Sequence, residues 1–132
     1  MDMRTRMAGV ALLASLPAFL GAPGALGTPA KDGNVSVRGV CTGPSTSKLK
    51  LSDEDGRIEV EFEVDQNRNG RTWAVVLRRN GVVLRRVTRV TRGPSGSFEA
   101  RFVVANRRGV DRFAATATRR GETCTARAAW RR

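Results

Sequence analysis

The chain has 132 residues and a formal net charge of +12, because 24 lysines and arginines oppose only 12 aspartates and glutamates. It contains no histidine and only two cysteines, so the sequence excludes a Cys/His zinc centre and catalysis by a histidine base. The basic charge favours association with a polyanion. An alternative origin is a high-GC coding bias, since arginine greatly outnumbers lysine.

The first thirty residues have the order of a secretory signal peptide. Arg4 and Arg6 precede an apolar run, AGVALLASLPAFLGA, and small residues follow it. This order predicts cleavage after Gly27 or after Ala30. The apolar run is broken by Pro17 and is too short for a membrane span. We therefore predict a secreted protein that has no integral membrane span once the signal peptide is removed.

The remaining residues, 31–132, are long enough for one domain with one hydrophobic core. Cys41 and Cys124 lie near opposite ends of this domain, and an even pair in an exported protein predicts one disulfide bond. Closing the long loop between them would stabilise the fold by about 4 kcal/mol if the bond acts by constraining the unfolded chain.

The first half of the domain contains one strong strand and two weaker ones. Residues 34–42 predict a first strand with a β-bulge at Gly39, and residues 48–51 predict a short extended segment. From 57 to 65, apolar residues alternate with acidic ones. This period of two predicts a strand with one buried face and one acidic face.

The next segment predicts a β-hairpin. Residues 72–79 alternate in the same way, and Asn80-Gly81 is the sequence typical of a two-residue turn with positive φ at both positions. A strict hairpin register would place Arg86 opposite Val75 on the inward face, where burial of an unpaired charge is too costly. We therefore predict a β-bulge, or the end of pairing, at residues 85–86.

Three further strands follow at residues 97–104, 110–119 and 123–130, and turn-forming residues separate them. No convincing helix follows the signal peptide. Seven to eight short strands at this spacing predict an all-β protein with an antiparallel β-sandwich fold.

Two sequence features resemble those of immunoglobulin-like and fibronectin-III-like sandwiches. Trp73 resembles the core tryptophan, and residues 109–115, GVDRFAA, resemble the G-x-D-x-aromatic corner. The likeness spans residues 35–130, and the chain also resembles small arginine-rich exported proteins of actinobacteria with no established function. Phe113 departs from the pattern because it lacks the corner tyrosine's hydroxyl. The resemblance implies an immunoglobulin-like fold that binds more often than it catalyses.

The loop Asp65-Gln66-Asn67-Arg68-Asn69-Gly70 matches the opening of a calcium-binding loop. The match ends there, because Val76 occupies the position of the bidentate glutamate and Arg68 adds a cation. An Asx turn is the alternative interpretation. We predict no metal and no cofactor.

A row of carboxylates also invites a catalytic interpretation. Glu59, Glu61 and Glu63 project from one face of their strand at about 7 Å intervals, within the range that glycosidases use. A flat, solvated strand face has no pocket that would raise one pKa, and Arg101 is a candidate cross-strand partner. Catalysis is therefore the third choice of function.

The strands of Trp73 and Phe113 predict a flat outer face of small, hydroxyl-bearing and arginine side chains. The candidate binding residues on it are Ala74, Val76, Arg78, Arg112, Ala114, Thr116, Thr125 and Arg127. We predict a secreted, non-catalytic binding or structural module whose face contacts a protein partner, a second copy of the chain or an envelope polymer. The alternative is that threonine and alanine are simply tolerated on an exposed sheet.

The second choice of function is electrostatic binding of a polyanion, either nucleic acid or an anionic envelope polymer. The densest basic run comprises Arg85, Arg86, Arg89 and Arg92. Binding of single-stranded nucleic acid would also need aromatic side chains for base stacking, and the few aromatics of this chain are assigned to the core.

Overall fold

A computed structural model describes residues 34–132, and the predicted signal peptide at residues 1–30 lies outside the described residues. Within residues 34–132 the chain forms nine β-strands and no helix. This part of the protein accordingly contains no helix with the length and hydrophobicity that a membrane crossing requires.

The nine strands follow one another with short connections. In chain order they are β1 (Val35–Arg38), β2 (Val40–Cys41), β3 (Thr46–Glu54), β4 (Arg57–Asp65), β5 (Thr72–Arg79), β6 (Val82–Val90), β7 (Ser97–Ala105), β8 (Val110–Arg119) and β9 (Glu122–Arg131). They form a four-stranded sheet in the order β1-β3-β4-β7 and a five-stranded sheet in the order β2-β9-β8-β5-β6. All pairings are antiparallel.

The predicted all-β sandwich is confirmed, with nine strands instead of seven or eight. The difference lies at the start of the domain. The predicted first strand is two strands, because the chain leaves the four-stranded sheet after Arg38 and enters the five-stranded sheet at Val40. The segment at 48–51 belongs to a longer strand, β3, whose outer ends are polar and therefore carry little hydrophobic signal.

Gly39 is the point where the chain changes sheets, and it is not the predicted bulge within one strand. A Cβ atom at this position would lie 2.1 Å from Ser47 Oγ and 2.8 Å from the Thr125 carbonyl oxygen. Only glycine lets the chain pass so close to the backbone of β9.

The core lies between the sheets and is built from the alternating apolar residues of both. Phe62 of β4, Trp73 of β5 and Phe113 of β8 are almost completely buried. The indole N–H of Trp73 donates a hydrogen bond to Gln66 Oε1 at 3.0 Å, so burial leaves this polar group satisfied. The predicted inward positions on these strands are therefore confirmed.

The hairpin between β5 and β6 turns at Asn80-Gly81, where φ is +50° and +82°, as predicted. Its register shifts between Leu77 and Arg78, so Leu84 is the extra residue on β6. Val75 consequently pairs with Val87, and Arg86 pairs with Val76 on the outer face. The predicted bulge is present, one residue before the arginine pair.

A buried ion pair ties the end of β5 to the start of β8. Arg79 and Asp111 have side chains only 3% and 4% exposed, and Arg79 Nη2 lies 3.0 Å from Asp111 Oδ2. The same guanidinium donates to the Ala105 carbonyl oxygen and lies 5.0 Å from the centre of the Phe113 ring. Asp111 also accepts a hydrogen bond from Asn80 Nδ2 at 3.2 Å. The ion pair therefore stabilises the corner at residues 109–115, where Phe113 has no hydroxyl group to form the hydrogen bond of a corner tyrosine.

Candidate binding face

All eight candidate binding residues lie on the outer surface of the five-stranded sheet. β5, β8 and β9 contribute them, and the strand register sets them in rows across the sheet. One row contains Val76, Thr116 and Thr125, and the next contains Arg78, Ala114 and Arg127. The predicted grouping is therefore present in the folded chain, since cross-strand partners project from the same face.

This surface also contains two arginines that are not among the eight candidate binding residues. Arg86 pairs with Val76 at the β6 end, and Arg131 is the last residue of β9, opposite Val110. We call the outer surface of the five-stranded sheet the arginine face, after Arg78, Arg86, Arg112, Arg127 and Arg131. Its strand positions hold no carboxylate. The four ion pairs found among residues 34–132 include none of these arginines.

A shallow depression of about 370 Å³ lies at one end of the arginine face. Its lining comprises three arginines, Arg78, Arg112 and Arg127, together with Gly81, Phe113 and three alanines. The depression therefore combines apolar side chains with positive charge, which suits an anionic group attached to a compact body.

The opposite outer surface has the reverse character. The register of β3, β4 and β7 places Glu54, Glu59, Glu61, Glu63, Asp65 and Glu99 together on the outside of the four-stranded sheet. We call this surface the carboxylate face. Lysines and arginines are interspersed on it, and Lys50 Nζ lies 3.9 Å from Glu61 Oε2.

Glu59 forms the shortest ion pair on this face, and its partner is Arg101. Arg101 donates a hydrogen bond to Glu59 Oε2, and this contact lowers the pKa of Glu59 from its ordinary value of 4.5 to about 2. The same contact raises the pKa of the Arg101 guanidinium. Hydrogen bonds with Glu59 raise the pKa of the neighbouring Glu54 and Glu61 carboxyl groups. The predicted partnership with Arg101 is confirmed.

The two faces therefore keep apart the charges that the sequence already separates. The acidic stretch from 53 to 65 supplies the outside of one sheet, while arginines from the second half of the chain supply the outside of the other. β7 is the exception, because it comes from the second half of the chain and places Glu99 and Arg101 on the carboxylate face. A partner that approaches the arginine face meets cations without compensating carboxylates.

The alternative basic run is divided between several surfaces. Arg86 belongs to the arginine face, whereas Arg85 pairs with Leu77 and Arg89 pairs with Trp73 on the opposite side of β6. Arg92 is exposed in the connection to β7, where it bridges to Ser97. Because β6 is an edge strand, Arg85 and Arg89 remain near solvent despite their inward register. Their charges also discourage edge-to-edge association.

The loop from Asp65 to Gly70 contains the predicted Asx turn. Asp65 Oδ1 accepts a hydrogen bond from the Asn67 backbone N–H at 2.9 Å. Thr91, which is 1% exposed, anchors the rest of the loop. Its hydroxyl donates to the Arg68 carbonyl oxygen at 2.5 Å and accepts from the Arg71 backbone N–H at 2.9 Å. No sequence pattern indicates this role of Thr91, because its partners lie 20 and 23 residues away along the chain.

Cys41 and Cys124 form the predicted disulfide bond, with a sequence separation of 83 residues. They are register partners on β2 and β9, so the bond joins neighbouring strands of the five-stranded sheet. It lies beneath the arginine face at the edge opposite β6 and secures the short strand β2.

Scans of protein-family models, of curated proteins and of solved structures return no match to this chain.

Proposed function

We propose that the protein is a non-catalytic binding module that holds an anionic partner against its arginine face. The main observation that supports this proposal is the separation of charge between the two sheets. The strand positions of the arginine face hold five arginines and no carboxylate. Guanidinium groups hydrogen-bond to oxyanions with matched geometry, so a surface of this kind favours phosphate, sulfate or carboxylate groups.

The shape of the arginine face supports binding of an extended partner. Alanine, threonine and valine fill the positions between the arginines, and none of these side chains is long enough to screen a guanidinium group from a flat ligand. Partners of this kind include an acidic protein surface and an anionic envelope polymer. A second copy of the chain that presents its own arginine face offers no strand carboxylate to these arginines.

We also propose that this module lies outside the cell and belongs to the immunoglobulin-like family. A disulfide bond persists in oxidising compartments, which supports an exported protein. The fully buried Trp73 lies on β5, next to β8, the first strand of the β8–β9 hairpin. This position supports the family assignment, since immunoglobulin-like domains place a core tryptophan on the strand that neighbours their last hairpin.

The test is retention on immobilised heparin, a sulfated polyanion, as a function of salt. We expect the double variant Ala74→Glu/Ala114→Glu to elute at clearly lower salt than the wild-type protein, because both new carboxylates lie among the arginines. The control is Ser36→Glu/Thr46→Glu, which changes the net charge equally but alters exposed positions on the other sheet. Equal elution of the two double variants would refute binding through the arginine face.

A further inference from the structure

Four of the five arginines on the arginine face lie on one diagonal line. Arg86 is opposite Val76 on β5, and Arg78 is two residues beyond Val76. Arg78 is opposite Ala114 on β8, and two residues from Ala114 along the same strand is Arg112. Each step thus moves one strand across the sheet and two residues along it.

The line continues onto β9 with the same step. Arg112 is opposite Ala129, and Arg131 is two residues beyond Ala129. Diagonal neighbours of this kind are separated by about 7–8 Å. The line Arg86–Arg78–Arg112–Arg131 therefore crosses four strands with nearly even spacing and extends over about 24 Å. We call it the arginine diagonal.

The chemistry along the arginine diagonal is almost entirely that of hydrogen-bond donors. Each guanidinium carries five N–H donors and no acceptor, and Thr116, opposite Val76, adds a hydroxyl group close to the line. A ligand that suits this surface presents acceptor oxygens at regular intervals and needs few acceptors in return. Phosphodiester groups meet that description.

A peptide partner suits the arginine diagonal less well. β5 and β8 are hydrogen-bonded to a neighbouring strand on both sides, and β2 pairs with β9 only at Cys124 and Thr125. A peptide could therefore add a strand only along an edge of the sheet and not across the arginine diagonal. A peptide backbone lying across the face would present N–H groups to a surface of donors. Nucleic acid is also a poorer fit, because the strand positions of the face hold no aromatic side chain on which bases could stack.

We propose that the arginine diagonal binds a linear polymer of small polyols joined by phosphodiester bonds. The polymer lies obliquely across the five-stranded sheet, and successive phosphates contact successive guanidinium groups from Arg86 to Arg131. This inference rests on the proposed function and adds to it the class of partner and its direction on the face. The even spacing of the arginines is the observation that supports this inference, since a partner attracted by total charge alone would not require the arginines to lie on a line.

The experiment measures the affinity of poly(glycerol phosphate) for variants that move an arginine without changing composition. In Arg112→Thr/Thr118→Arg, two exposed residues of β8 on the same face exchange places. In Arg78→Ala/Ala74→Arg, two residues of β5 on the same face do so. Both exchanges keep the charge of the face and break the line. We expect each to weaken binding roughly tenfold, the loss that follows from removing a charge-assisted contact.

The matched control is Arg38→Ser/Ser36→Arg, an exchange of two exposed residues on β1 in the other sheet. We expect it to bind the polymer as the wild-type protein does. Urea denaturation checks that all three variants fold, and two independent exchanges on different strands keep the test decisive if one of them destabilises the sheet.

Three outcomes would overturn the arginine diagonal as the binding element. The first is wild-type affinity in both face exchanges while heparin retention still depends on the arginine face, which would leave the proposed function standing. The second is equally tight binding of oligo(dT) with a matched number of phosphates, which would indicate nucleic acid. The third is equally tight binding of poly-aspartate, which would indicate an acidic protein. Equal heparin elution of Ala74→Glu/Ala114→Glu and its control Ser36→Glu/Thr46→Glu would instead refute the proposed function itself.

Discussion

Arg79 is a buried cation whose guanidinium group is held by groups from two other strands, β7 and β8. Asp111 pairs with it, the Ala105 carbonyl oxygen accepts a second hydrogen bond, and the Phe113 ring lies beneath it. Such a group is costly to bury alone, so its value depends on every partner being present. The pair also joins β5 to β8 at the corner where β7 ends.

We predict that Arg79→Leu lowers the free energy of unfolding by about 3–5 kcal/mol, because it leaves the Asp111 carboxylate buried without a counter-charge. The double variant Arg79→Leu/Asp111→Leu should recover a large part of this loss, since no charge then remains in the site. Urea denaturation of both variants measures the two effects. A single variant as stable as the wild-type protein would show that Asp111 finds another partner or solvent.

Contacts of this kind could not be predicted from the sequence. Alternation places the position of Arg79 on the inward side of β5, but its partner is 32 residues away, and nothing local indicates that the two meet. The same holds for Thr91, which joins a loop to a strand end through hydrogen bonds to residues 20 and 23 positions earlier. Hydrophobic periodicity identifies faces, and it contains no information about which polar group pairs with which.

At the scale of strands, the outer surface of β4 shows how one arginine on a neighbouring strand affects several carboxyl groups differently. Glu59 lies on β4 between Glu54 on β3 and Arg101 on β7, and Arg101 Nη2 also lies 3.8 Å from Glu54 Oε1. Arg101 holds Glu59 ionised, while Glu54 and Glu61 protonate more readily because each hydrogen-bonds with Glu59. Three neighbouring carboxyl groups on β3 and β4 thus have different pKa shifts.

We predict an acid-sensitive contribution to stability from Glu59. Its pKa is about 2 in the folded protein and near 4.5 when the chain is unfolded, so the unfolded state binds more protons between these values. The stabilising contribution of Glu59 is therefore complete above pH 4.5 and is lost as the pH falls toward 2. Glu54 and Glu61 act in the opposite sense above pH 4.5, because their folded pKa values are raised.

The measurement is the urea midpoint of wild type and Glu59→Gln across the acid range. We expect the wild-type midpoint to fall with pH below 4.5 and the variant midpoint to change much less there. Glu63→Gln is the matched control, since it removes a carboxylate from the same face of the same strand without touching Arg101. Parallel curves for Glu59→Gln and wild type would contradict the assignment.

Alternation predicted the type of each major strand and the side on which its residues lie. The inward series around Trp73 and Phe113 and the outward candidate residues follow from that period alone. The change of sheet at Gly39 could not be predicted, because a glycine within a strand pattern also fits a bulge. Arg131 could have been assigned to the face by continuing the outward series Arg127 and Ala129 by one more step. Arg86 required the position of the bulge.

At the scale of the whole molecule, the disulfide bond closes most of the described chain into a loop. Cys41 and Cys124 are separated by 83 residues, and every strand from β3 to β8 lies between them. A bond over such a distance removes many conformations from the unfolded chain, and a domain of this size has little free energy of folding to spare.

We predict that reduction of this bond lowers the free energy of unfolding by about 4 kcal/mol. Urea denaturation with and without a reductant measures the effect, and the variant Cys41→Ala/Cys124→Ala should be equally destabilised. The reductant should leave that variant unchanged, which separates loss of the bond from other effects of the reagent. A wild-type midpoint that does not respond to complete reduction would contradict the prediction.

The position of the disulfide bond also determines how the molecule would carry mechanical load. If tension is applied at residues 34 and 132, the force passes along β1 and β2 to Cys41, through the sulfur–sulfur bond, and out along β9 from Cys124. The strands from β3 to β8 lie off this covalent path, and the load reaches them only through the hydrogen bonds that join β1 to β3 and β9 to β8. An oxidised molecule anchored at both ends could therefore stretch only through its first and last strands, while most of the sandwich stays folded under strain.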